Sequence, residues 1–462
     1  MYGRTHRIHF IGVGGSGMSG IAEVLINMGY QVSGSDLKST EVTDRLIQRG
    51  GRVFIGHAAA NVEGAHVVVY STAVQRDNPE MAAAAAAGIP IISRAEMLAE
   101  LMRMKYGIAV GGSHGKTTTT SLIATVIARG GLDPTIVVGG RLHALGTNAR
   151  LGHGAFLVAE ADESDGSFLR LAPAVTVVTN IDREHLDYYA DLDAIRQAFV
   201  YFVNRVPFYG VSVMCVDDPQ VREILPLVTK RVLLYGTLPE ADVRAENIEL
   251  LPHGSRFTVI TKGVRLGTVE IKIPGRHNVL NALAAIAVGL EVEIGFGHIA
   301  EALAGFAGVG RRFETRGEAS GVSVVDDYGH HPTEVLATLA AARGRGGRVL
   351  VLFQPHRYSR TAALAPEFAG AFRDADHVWI LDIYAAGEAP IEGVTARTLV
   401  EGAHALGQRH VEYAPHGLAA AEAAALAAQP GDTVLTLGAG DVWKLGDHVL
   451  AELRRVAVGE ER

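Results

Sequence analysis

The segment from Gly111 to Thr120 constrains the fold more than any other part of the chain. It reads GGSHGKTTTT and lies between an apolar run, residues 106–110, and a helical pattern over Thr117–Arg129. A strand, a glycine turn and a helix start, in that order, point backbone N–H groups at a bound anion. Lys116 can reach the terminal phosphates of a nucleotide, and the Thr117 hydroxyl can ligate Mg²⁺. The segment therefore predicts an α/β domain that binds a nucleoside triphosphate.

The match to the phosphate-loop pattern is incomplete at its front. The pattern G-x-x-x-x-G-K-[ST] requires glycine at position 110, where this chain has Val110. A chance glycine turn that contains a lysine is therefore the alternative interpretation. The residues expected to bind ATP here are Gly112, Ser113, His114, Gly115, Lys116, Thr117 and Thr118.

Composition restricts the class of ligand. The 462 residues, 48% of them hydrophobic, suffice for about three domains of ~150 residues each. A net charge of -8 argues against a nucleic-acid partner, because phosphate-backbone affinity requires a basic surface. The single cysteine, Cys215, excludes an intramolecular disulfide and suits a reducing cytoplasm. With no signal-peptide pattern and no run of ~20 apolar residues, we expect a cytoplasmic protein without membrane insertion that binds small molecules.

Alternation of β-rich and helical runs predicts the fold class. The first hundred residues alternate in this way, the pattern restarts at the phosphate loop, and it begins again from Gly321. Such alternation is typical of βαβ units with parallel sheets. The stretch Arg244–Ile273 indicates an antiparallel meander instead. We predict an α/β protein of three domains: a Rossmann-like N-terminal domain (residues 1–104), a central P-loop-type ATP-binding domain with a mixed sheet (105–313) and a C-terminal doubly wound Rossmann-like domain (314–462).

A second glycine-rich turn, Gly12–Gly17, follows a predicted strand and precedes a predicted helix. It matches G-x-G-x-x-G, and Asp36 follows the next strand. The glycines allow close approach of a pyrophosphate, and the acid can bind a ribose or base donor. A nicotinamide dinucleotide and a UDP-sugar both satisfy this pattern, and a tight turn without a ligand is a third interpretation. The candidate residues are Gly12, Gly14, Gly15, Ser16, Gly17, Met18 and Asp36, with Ser71 and Thr72 after another strand.

Two further strand ends carry candidate metal ligands. Glu160 ends the predicted strand Phe156–Ala159, and His185 lies in the loop after the next strand. Because the carboxyl ends of parallel strands meet at one sheet edge, Thr117, Glu160 and His185 are predicted to converge on a metal ion. Mg²⁺ prefers oxygen ligands, so the histidine can instead orient a water or serve a second ion.

The last two thirds of the chain contain four more polar clusters. Asn278 and Asn281 can cap a helix or bind the edge of adenine. Arg311–Arg312 can bind a carboxylate or phosphate, or can be a solvated basic pair. Asp326–Glu334 and Phe353–Thr361 follow two successive strands and are dense in acids, histidines and arginines. Packing alone does not explain such clusters, so we expect catalytic residues there.

Taken together, these motifs resemble those of the Mur ligase family, ATP-dependent enzymes of peptidoglycan precursor synthesis. The resemblance covers nearly the whole chain and accounts for Val110, since the family uses the shorter form G-[ST]-x-G-K-[ST]. It rests on IHFIGVGGSGMSGIAEVL from Ile8, GGSHGKTTTTS from Gly111, EADESDGSF from Glu160, NIDREHLDYY from Asn180, GRHNVLNALAA from Gly275, GVGRRFE from Gly308, DDYGHHPTEV from Asp326, FQPHRYSRT from Phe353 and YAAGEAPIEGV from Tyr384.

The resemblance implies a reaction and its substrates. The family's N-terminal domain binds the UDP part of UDP-N-acetylmuramate, the central domain binds ATP and Mg²⁺, and the C-terminal domain binds the amino acid. Later ligases of the family hold a second Mg²⁺ with a carbamylated lysine, and no lysine lies between Lys116 and Lys230 here. The resemblance therefore implies ligation of L-alanine to the lactyl carboxylate of UDP-N-acetylmuramate.

The resemblance also implies residue roles. Lys116 and Thr117 would serve phosphate and metal, Glu160 and His185 metal, and Asn278 and Asn281 adenine, with Asp327 near the nucleotide. The implied catalytic set around the alanine and the reacting carboxyl is Arg312, Tyr328, His330 and Arg357, with His330 a candidate general base. The chain departs from the family pattern at Ser113, where threonine is common, and at Glu184, where aspartate is usual.

Three alternatives remain at this stage. A sibling ligase that adds another amino acid would share every motif. An NAD-dependent oxidoreductase would use Gly12–Gly17 and Asp36 and would leave Lys116 without a role. A nucleotide-binding regulator would release no phosphate, which the dense clusters of the third domain disfavour. Both a monomer and a homodimer fit the sequence.

Overall fold

The computed structural model describes residues 6–71, 73–75, 77–142 and 147–460. The chain forms two compact units: the first contains residues 1–245, 259–267 and 280–303, and the second contains residues 246–258, 268–279 and 304–462. None of the helices in the described ranges is both long and apolar enough to cross a lipid bilayer. The predicted domain boundaries after residues 104 and 313 stay predictions.

The N-terminal part of the first unit contains a fully parallel sheet of strand order β3-β2-β1-β4-β5. Neighbouring residues of β1 enter different cores, Phe10 on one side and Ile11 on the other, so both faces are covered. The elements are β1 Arg7–Ile11, α1 Ser16–Asn27, β2 Gln31–Asp36, α2 Glu41–Gln48, β3 Arg52–Ile55, β4 Val67–Tyr70, α3 Pro79–Ala86, β5 Ile91–Ser93 and α4 Arg94–Arg103.

The larger central sheet is mixed, as predicted. From one edge its order is β8-β7-β9-β6-β10-β11-β12, followed by the consecutive strands β13, β14 and β15. The β7–β8 pair is antiparallel, and the pairs from β7 to β13 are parallel. The elements are β6 Tyr106–Gly111, α5 Lys116–Arg129, β7 Thr135–Leu142, β8 Thr147–Arg150, β9 Phe156–Glu160, β10 Val175–Val178, α6 Leu192–Val203, β11 Val211–Cys215, α7 Pro219–Ile224, β12 Val232–Gly236, β13 Val243–Leu251, β14 Gly254–Thr261, β15 Val264–Ile271, α8 Arg276–Glu291 and α9 Phe296–Ala304.

The C-terminal sheet has the order β16-β17-β21-β18-β19-β20 and is parallel except for the edge strand β16. Successive side chains of its strand β18 enter two different cores: Val351 packs on one face of the sheet and Leu352 on the other. Both faces are therefore covered, which confirms the doubly wound prediction. The elements are β16 Glu314–Ala319, β17 Val322–Asp327, α10 Pro332–Arg343, β18 Val349–Phe353, α11 Tyr358–Ala363, α12 Ala365–Ala369, β19 His377–Ile380, α13 Ala396–Ala405, β20 Val411–Tyr413, α14 Gly417–Ala427, β21 Thr433–Leu437 and α15 Lys444–Glu460. Short 3₁₀ turns occur at Ala59–Val62, Ser167–Arg170 and Leu225–Leu227.

Sheet order explains why the predicted site residues converge. Strands β9, β6 and β10 are direct neighbours and run parallel. Their carboxyl ends therefore open into three adjacent loops: the phosphate loop (residues 112–116, ending at the first residue of α5), the acidic loop (residues 160–165) and the loop of residues 179–187. Ligands of open α/β sheets bind at this edge.

Candidate active site

The turn Gly12–Gly17, here called the glycine loop, links β1 to α1. Gly12 adopts a φ of +78°, which favours glycine. The backbone N–H of Gly14 donates to Asp36 Oδ2 at 2.8 Å, and a Cβ on Gly14 would lie 2.8 Å from the same oxygen. Asp36 thus holds the glycine loop in place, and its contact with a ribose stays a prediction.

For the other residues predicted to bind the UDP-sugar at this loop, the structure supports proximity to the loop in some cases only. A Cβ on Gly12 would lie 3.7 Å from Ser71 Oγ, so Ser71 does stand beside the loop. The side chain of Met18, a residue of α1, is buried in the hydrophobic core on which α1 packs. Thr72 and the side chain of Ser16 lie outside the described residues.

The phosphate loop has the backbone conformation that its sequence predicts. Gly112 and Gly115 adopt φ values of +133° and +80°, and α5 starts directly after Gly115. A Cβ on Gly112 would overlap Thr179 Oγ1 and would lie 3.0 Å from the Thr179 backbone N. Glycine is therefore required at position 112 by both conformation and space.

The neighbouring loop after β10 fixes the phosphate loop through hydrogen bonds. Thr179 Oγ1 and Asn180 Nδ2 donate to the His114 carbonyl at 2.7 and 3.0 Å, while the His114 N–H donates to Asn180 Oδ1 at 2.8 Å. The Asp182 N–H donates to Ser113 Oγ at 2.8 Å, and His114 Nε2 lies 2.9 Å from Asp182 Oδ2. Sequence reasoning did not assign Asn180 a role, because this pairing links residues 66 positions apart.

Lys116 lies at the centre of the phosphate loop. Its Nζ donates to the carbonyls of Gly112 and Ser113 at 2.7 and 3.1 Å and to Glu163 Oε1 at 2.7 Å. Burial alone would lower the pKa of Lys116, but the carboxylates of Glu163 and Glu184 raise it above its usual value. Lys116 is therefore a permanent cation that a phosphate can bind.

Thr117 and Glu160 form the oxygen-rich part of this edge. The Thr117 hydroxyl lies 3.1 Å from both carboxylate oxygens of Glu160. A hydroxyl and a carboxylate supply the oxygen ligands that Mg²⁺ prefers, so this pair fits the ion. The structure brings these two predicted ligands together.

His185 contacts a different pair of acids. Its Nε2 lies 3.6 Å from Glu163 Oε1 and 3.9 Å from Glu184 Oε2, and its backbone has a φ of +55°. Although burial lowers the pKa of His185, the nearby carboxylates of Glu163 and Glu184 raise it overall. The ligand atoms of these three residues lie within 4.8 Å of one another, close enough to share a cation. Metal binding by His185 stays a prediction.

The two asparagines of the GRHNVLNA motif are buried. In the first unit, Asn281 Oδ1 accepts a hydrogen bond from Thr119 Oγ1 at 3.1 Å and would contact a Cβ on Gly115. In the second unit, Asn278 Nδ2 donates to the Pro274 carbonyl at 2.7 Å. Both therefore stabilise local structure, and their binding of adenine stays a prediction.

The second unit contains the acids that end β17. Asp326 is fully buried and pairs with Arg311 Nε at 3.0 Å, and the Arg311 guanidinium also donates to the carbonyls of Gly438 and Gly440. Arg311 therefore has a structural role. Asp327 Oδ1 accepts from Gly329 N at 2.8 Å, and its Oδ2 accepts from Phe313 N at 2.7 Å.

The environment of Asp327 raises the pKa of its carboxyl. Burial raises the pKa of Asp327 to about 6, although the charge of Arg312 and the backbone donors of Gly329 and Phe313 act in the opposite direction. Asp327 therefore links the loop that follows β17 to the segment that precedes β16. Its contact with a nucleotide stays a prediction.

Tyr328, His330 and Arg312 form one group around Glu334. The ring centroids of Tyr328 and His330 are 5.4 Å apart, and the Arg312 guanidinium lies 5.0 Å from the Tyr328 ring centroid. Arg312 Nη1 lies 3.9 Å from Glu334 Oε1, and His330 Nδ1 lies 3.4 Å from Glu334 Oε2. Sequence reasoning gave Glu334 no role of its own, although its position in the first turn of a helix, three residues after the capping residue His331, is a signal for one.

The hydrogen bond of His330 defines its tautomer. Nδ1 lies 3.0 Å from the Tyr328 carbonyl, an acceptor, so Nδ1 carries the proton in this contact. Nε2 of the neutral ring is then an acceptor. The role of His330 as a general base stays a prediction.

Arg357 lies beside this group with a strained backbone. Its φ is +70°, and its N–H donates to the Tyr384 carbonyl at 2.8 Å. His356 stacks on Tyr384 and lies 5.5 Å from the His330 ring; burial and the charges of its neighbours lower the pKa of His356 to about 3. The neutral ring of His356 and the cation Arg357 therefore follow the carboxyl end of β18.

Comparison with known protein families covers most of the chain. Residues 7–106 match the model described as Mur ligase family, catalytic domain; residues 110–289 match the Mur ligase middle domain; and residues 311–440 match the Mur ligase, glutamate ligase domain.

Individual relatives agree with these matches. UDP-N-acetylmuramate–L-alanine ligases of Geobacter sp. strain M21 and of Syntrophotalea carbinolica are each 58% identical, and the alignments cover 98% of this chain and 99% of each relative. The solved UDP-N-acetylmuramate-alanine ligase of Thermotoga maritima superposes with a TM-score of 0.79 at 28% identity over 97% of this chain and 99% of that one. Sequence identity over the full length, three matching domains and the conformation of the phosphate loop lead to one conclusion: the chain belongs to the Mur ligase family.

Proposed function

We propose that this protein joins L-alanine to the lactyl carboxylate of UDP-N-acetylmuramate, with conversion of ATP to ADP and phosphate. The observation that carries the proposal is the cation Lys116, held in a phosphate loop directly beside the Thr117–Glu160 pair. The names of the 58% identical relatives support the choice of substrates. A dehydrogenase would give Lys116 no role.

The reaction needs ATP because a carboxylate is a poor acyl donor. A lactyl carboxylate oxygen attacks the γ-phosphorus, the bond from that phosphorus to the β-γ bridging oxygen breaks, and ADP leaves. The alanine amine then attacks the carbonyl carbon of the acyl phosphate, and the tetrahedral intermediate expels phosphate. Each step moves negative charge across a small region, so catalysis consists mainly of positioning and charge neutralisation.

Within the first unit, the phosphate loop and Lys116 would bind the β- and γ-phosphates. Lys116 would exchange Glu163 or a loop carbonyl for a phosphate oxygen, which a charged ammonium with three donors allows. Thr117 and Glu160 would hold Mg²⁺, which when bound neutralises phosphate charge. The glycine loop would hold the diphosphate of the UDP-sugar.

Within the second unit, the group around Glu334 would bind the amino acid. Arg312 and Arg357 supply cations for a carboxylate, and Tyr328 lies against Arg312. His330 Nε2 would accept the proton from the alanine ammonium, since Nδ1 is already bound to a carbonyl. We place the reaction in the cytoplasm, which supplies ATP and suits the single cysteine.

The test is phosphate release with UDP-N-acetylmuramate, ATP and each amino acid in turn. We expect release only when all three substrates are present, with L-alanine giving a higher kcat/KM than glycine or L-serine. Faster release with a larger or acidic amino acid would identify a sibling ligase. Reduction of a nicotinamide cofactor without phosphate release would overturn the proposal.

A further inference from the structure

The side chain of Arg94 lies against the glycine loop. Arg94 is the first residue of α4, and a Cβ on Gly17 would overlap its Nη1 and lie 3.2 Å from its Cδ. Gly17 belongs to the first turn of α1, where backbone N–H groups point out of the helix. A guanidinium therefore stands next to the place proposed for the diphosphate.

The same guanidinium faces the acidic loop. Arg94 Nη2 lies 3.6 Å from Asp162 Oδ2, and the other oxygen of Asp162 accepts a hydrogen bond from Ser164 N at 3.1 Å. Asp162 lies between Glu160, the proposed metal ligand, and Glu163, which binds Lys116. Arg94 thus connects the glycine loop to the loop that borders the phosphate loop.

This contact is loose, whereas a second arginine at the same helix start is firmly bound. A distance of 3.6 Å is too long for a direct hydrogen bond, and the Arg94 and Asp162 side chains are 33% and 44% exposed. Arg170, by contrast, donates to Ser93 Oγ at 3.2 Å and lies 2.9 Å from Glu96 Oε2. Exposed ion pairs contribute little stability, so Arg94 is poorly explained as a structural link. A loosely held guanidinium with five donors suits bidentate binding of phosphate.

We propose that Arg94 binds the diphosphate of the nucleotide-sugar and, through Asp162, couples its binding to that of MgATP. The inference rests on the proposed function. A guanidinium between two anions is attracted to both of them. A bound diphosphate therefore keeps Arg94 close to Asp162, where its positive charge offsets the negative charge of the acidic loop. Thermodynamic linkage requires the effect to be reciprocal: MgATP must tighten nucleotide-sugar binding by the same factor.

Isothermal titration calorimetry with UDP and UMP tests the two halves of the proposal. Titrations are run with and without Mg²⁺ and a non-hydrolysable ATP analogue, on the full chain and its variants. We expect Arg94→Ala to weaken UDP binding ~10-fold and UMP binding less than ~2-fold, because UMP lacks the second phosphate. Arg94→Lys should restore part of the loss. Asp162→Asn should bind UDP alone as the unaltered chain does, but without tightening by the analogue.

Arg170→Ala is the matched control, because it removes a stronger contact from the same helix start. If Arg94 only stabilised α4, Arg170→Ala would weaken UDP binding at least as much, and that result would overturn the proposal. Equal losses for UDP and UMP in Arg94→Ala, or intact coupling in Asp162→Asn, would also overturn it. Those outcomes leave the proposed function standing, whereas failure of the unaltered chain to bind UDP-N-acetylmuramate would remove both.

Discussion

The glycine loop and the phosphate loop share one architecture but differ in the charged side chain that binds their backbone. Both follow a parallel strand, contain at least one glycine with positive φ and precede a helix. Opposite the glycine loop stands Asp36, whose carboxylate accepts from Gly14 N. Within the phosphate loop stands Lys116, whose ammonium is bound by Glu163 and two carbonyls.

This difference suits the glycine loop to binding a diphosphate that does not react, and the phosphate loop to phosphoryl transfer. Backbone N–H groups alone can hold a diphosphate that does not react. Transfer of a phosphoryl group also requires cations where negative charge develops. Before the nucleotide binds, nearby carboxylates hold these cations in position. Glu160, Glu163 and Glu184 are such acids around Lys116, whereas Asp36 beside the glycine loop binds the backbone N–H of Gly14.

The largest expected effect comes from Lys116→Ala. Loss of the only lysine in the phosphate loop should lower kcat for phosphate release at least ~10³-fold, because the transferred phosphoryl loses its nearest cation. Calorimetric binding of UDP-N-acetylmuramate should be unchanged. Lys444→Ala, at a residue whose side chain is 60% exposed, is the control. A kcat within tenfold of the unaltered chain would contradict the division between the two loops.

A matched pair of glycine substitutions compares the two loops sterically. In Gly112→Ala the Cβ meets Thr179 side-chain and backbone atoms at a φ of +133°, so we expect destabilisation by more than ~2 kcal/mol and loss of ATP binding. In Gly15→Ala the nearest atom is Gly12 O at 3.5 Å, an ordinary contact, so stability should change by less than ~0.5 kcal/mol. Thermal unfolding with and without ATP measures both. Equal shifts in the two variants would show that the loops are sterically equivalent.

Glu160→Gln tests the metal part of the phosphate-loop edge. The amide keeps the shape of the side chain but removes the negative charge, so the Mg²⁺ concentration for half-maximal activity should rise ~10- to 100-fold. Glu240→Gln, at an exposed position, should leave this concentration unchanged. An unchanged Mg²⁺ requirement in Glu160→Gln would remove Glu160 from the metal site.

The smallest effect on activity concerns Glu80, a buried carboxyl that contacts His9 of β1 and Ser35 of β2. Burial opposes ionisation of Glu80, but the His9 ring 3.6 Å away and hydrogen bonds from Ser35 and Asn61 outweigh it and lower its pKa to about 2. A carboxyl with a depressed folded-state pKa stabilises the fold above its ordinary pKa of 4.5, and this stability is lost as pH falls from there to about 2.

Denaturant unfolding at pH 7 and at pH 3 measures this contribution. We expect Glu80→Gln to lose about 2–3 kcal/mol at pH 7 and less at pH 3, with kcat little changed at pH 7. A loss of equal size at both pH values would show that packing, not ionisation, explains the effect.

The local sequence was sufficient to predict both loops, but it did not predict the contacts between residues that are distant in the chain. The strand, turn and helix around Lys116 lie within one short segment, so glycine positions and apolar periodicity were sufficient. The bond from Lys116 to Glu163 joins residues 47 positions apart, and the Arg94–Asp162 contact joins two predicted domains. Pairings of this kind depend on sheet order, which the sequence does not specify.

Short edge strands also escaped prediction, for a related reason. β3 and β5 have few buried side chains, and β16 carries charged residues, Gly317 and an irregular register with β17. None of them shows the apolar run or alternation that marks a buried strand. Their positions are set by hydrogen bonds to the neighbouring strands β2, β4 and β17.

The most direct test of the central claim follows an oxygen atom. UDP-N-acetylmuramate labelled with ¹⁸O in its lactyl carboxylate is incubated with ATP, L-alanine and the protein, and the released phosphate is analysed by mass spectrometry. Activation of the carboxylate by the γ-phosphate predicts transfer of one ¹⁸O atom into each phosphate formed. Phosphate without label, while the alanine adduct still forms, would contradict the account.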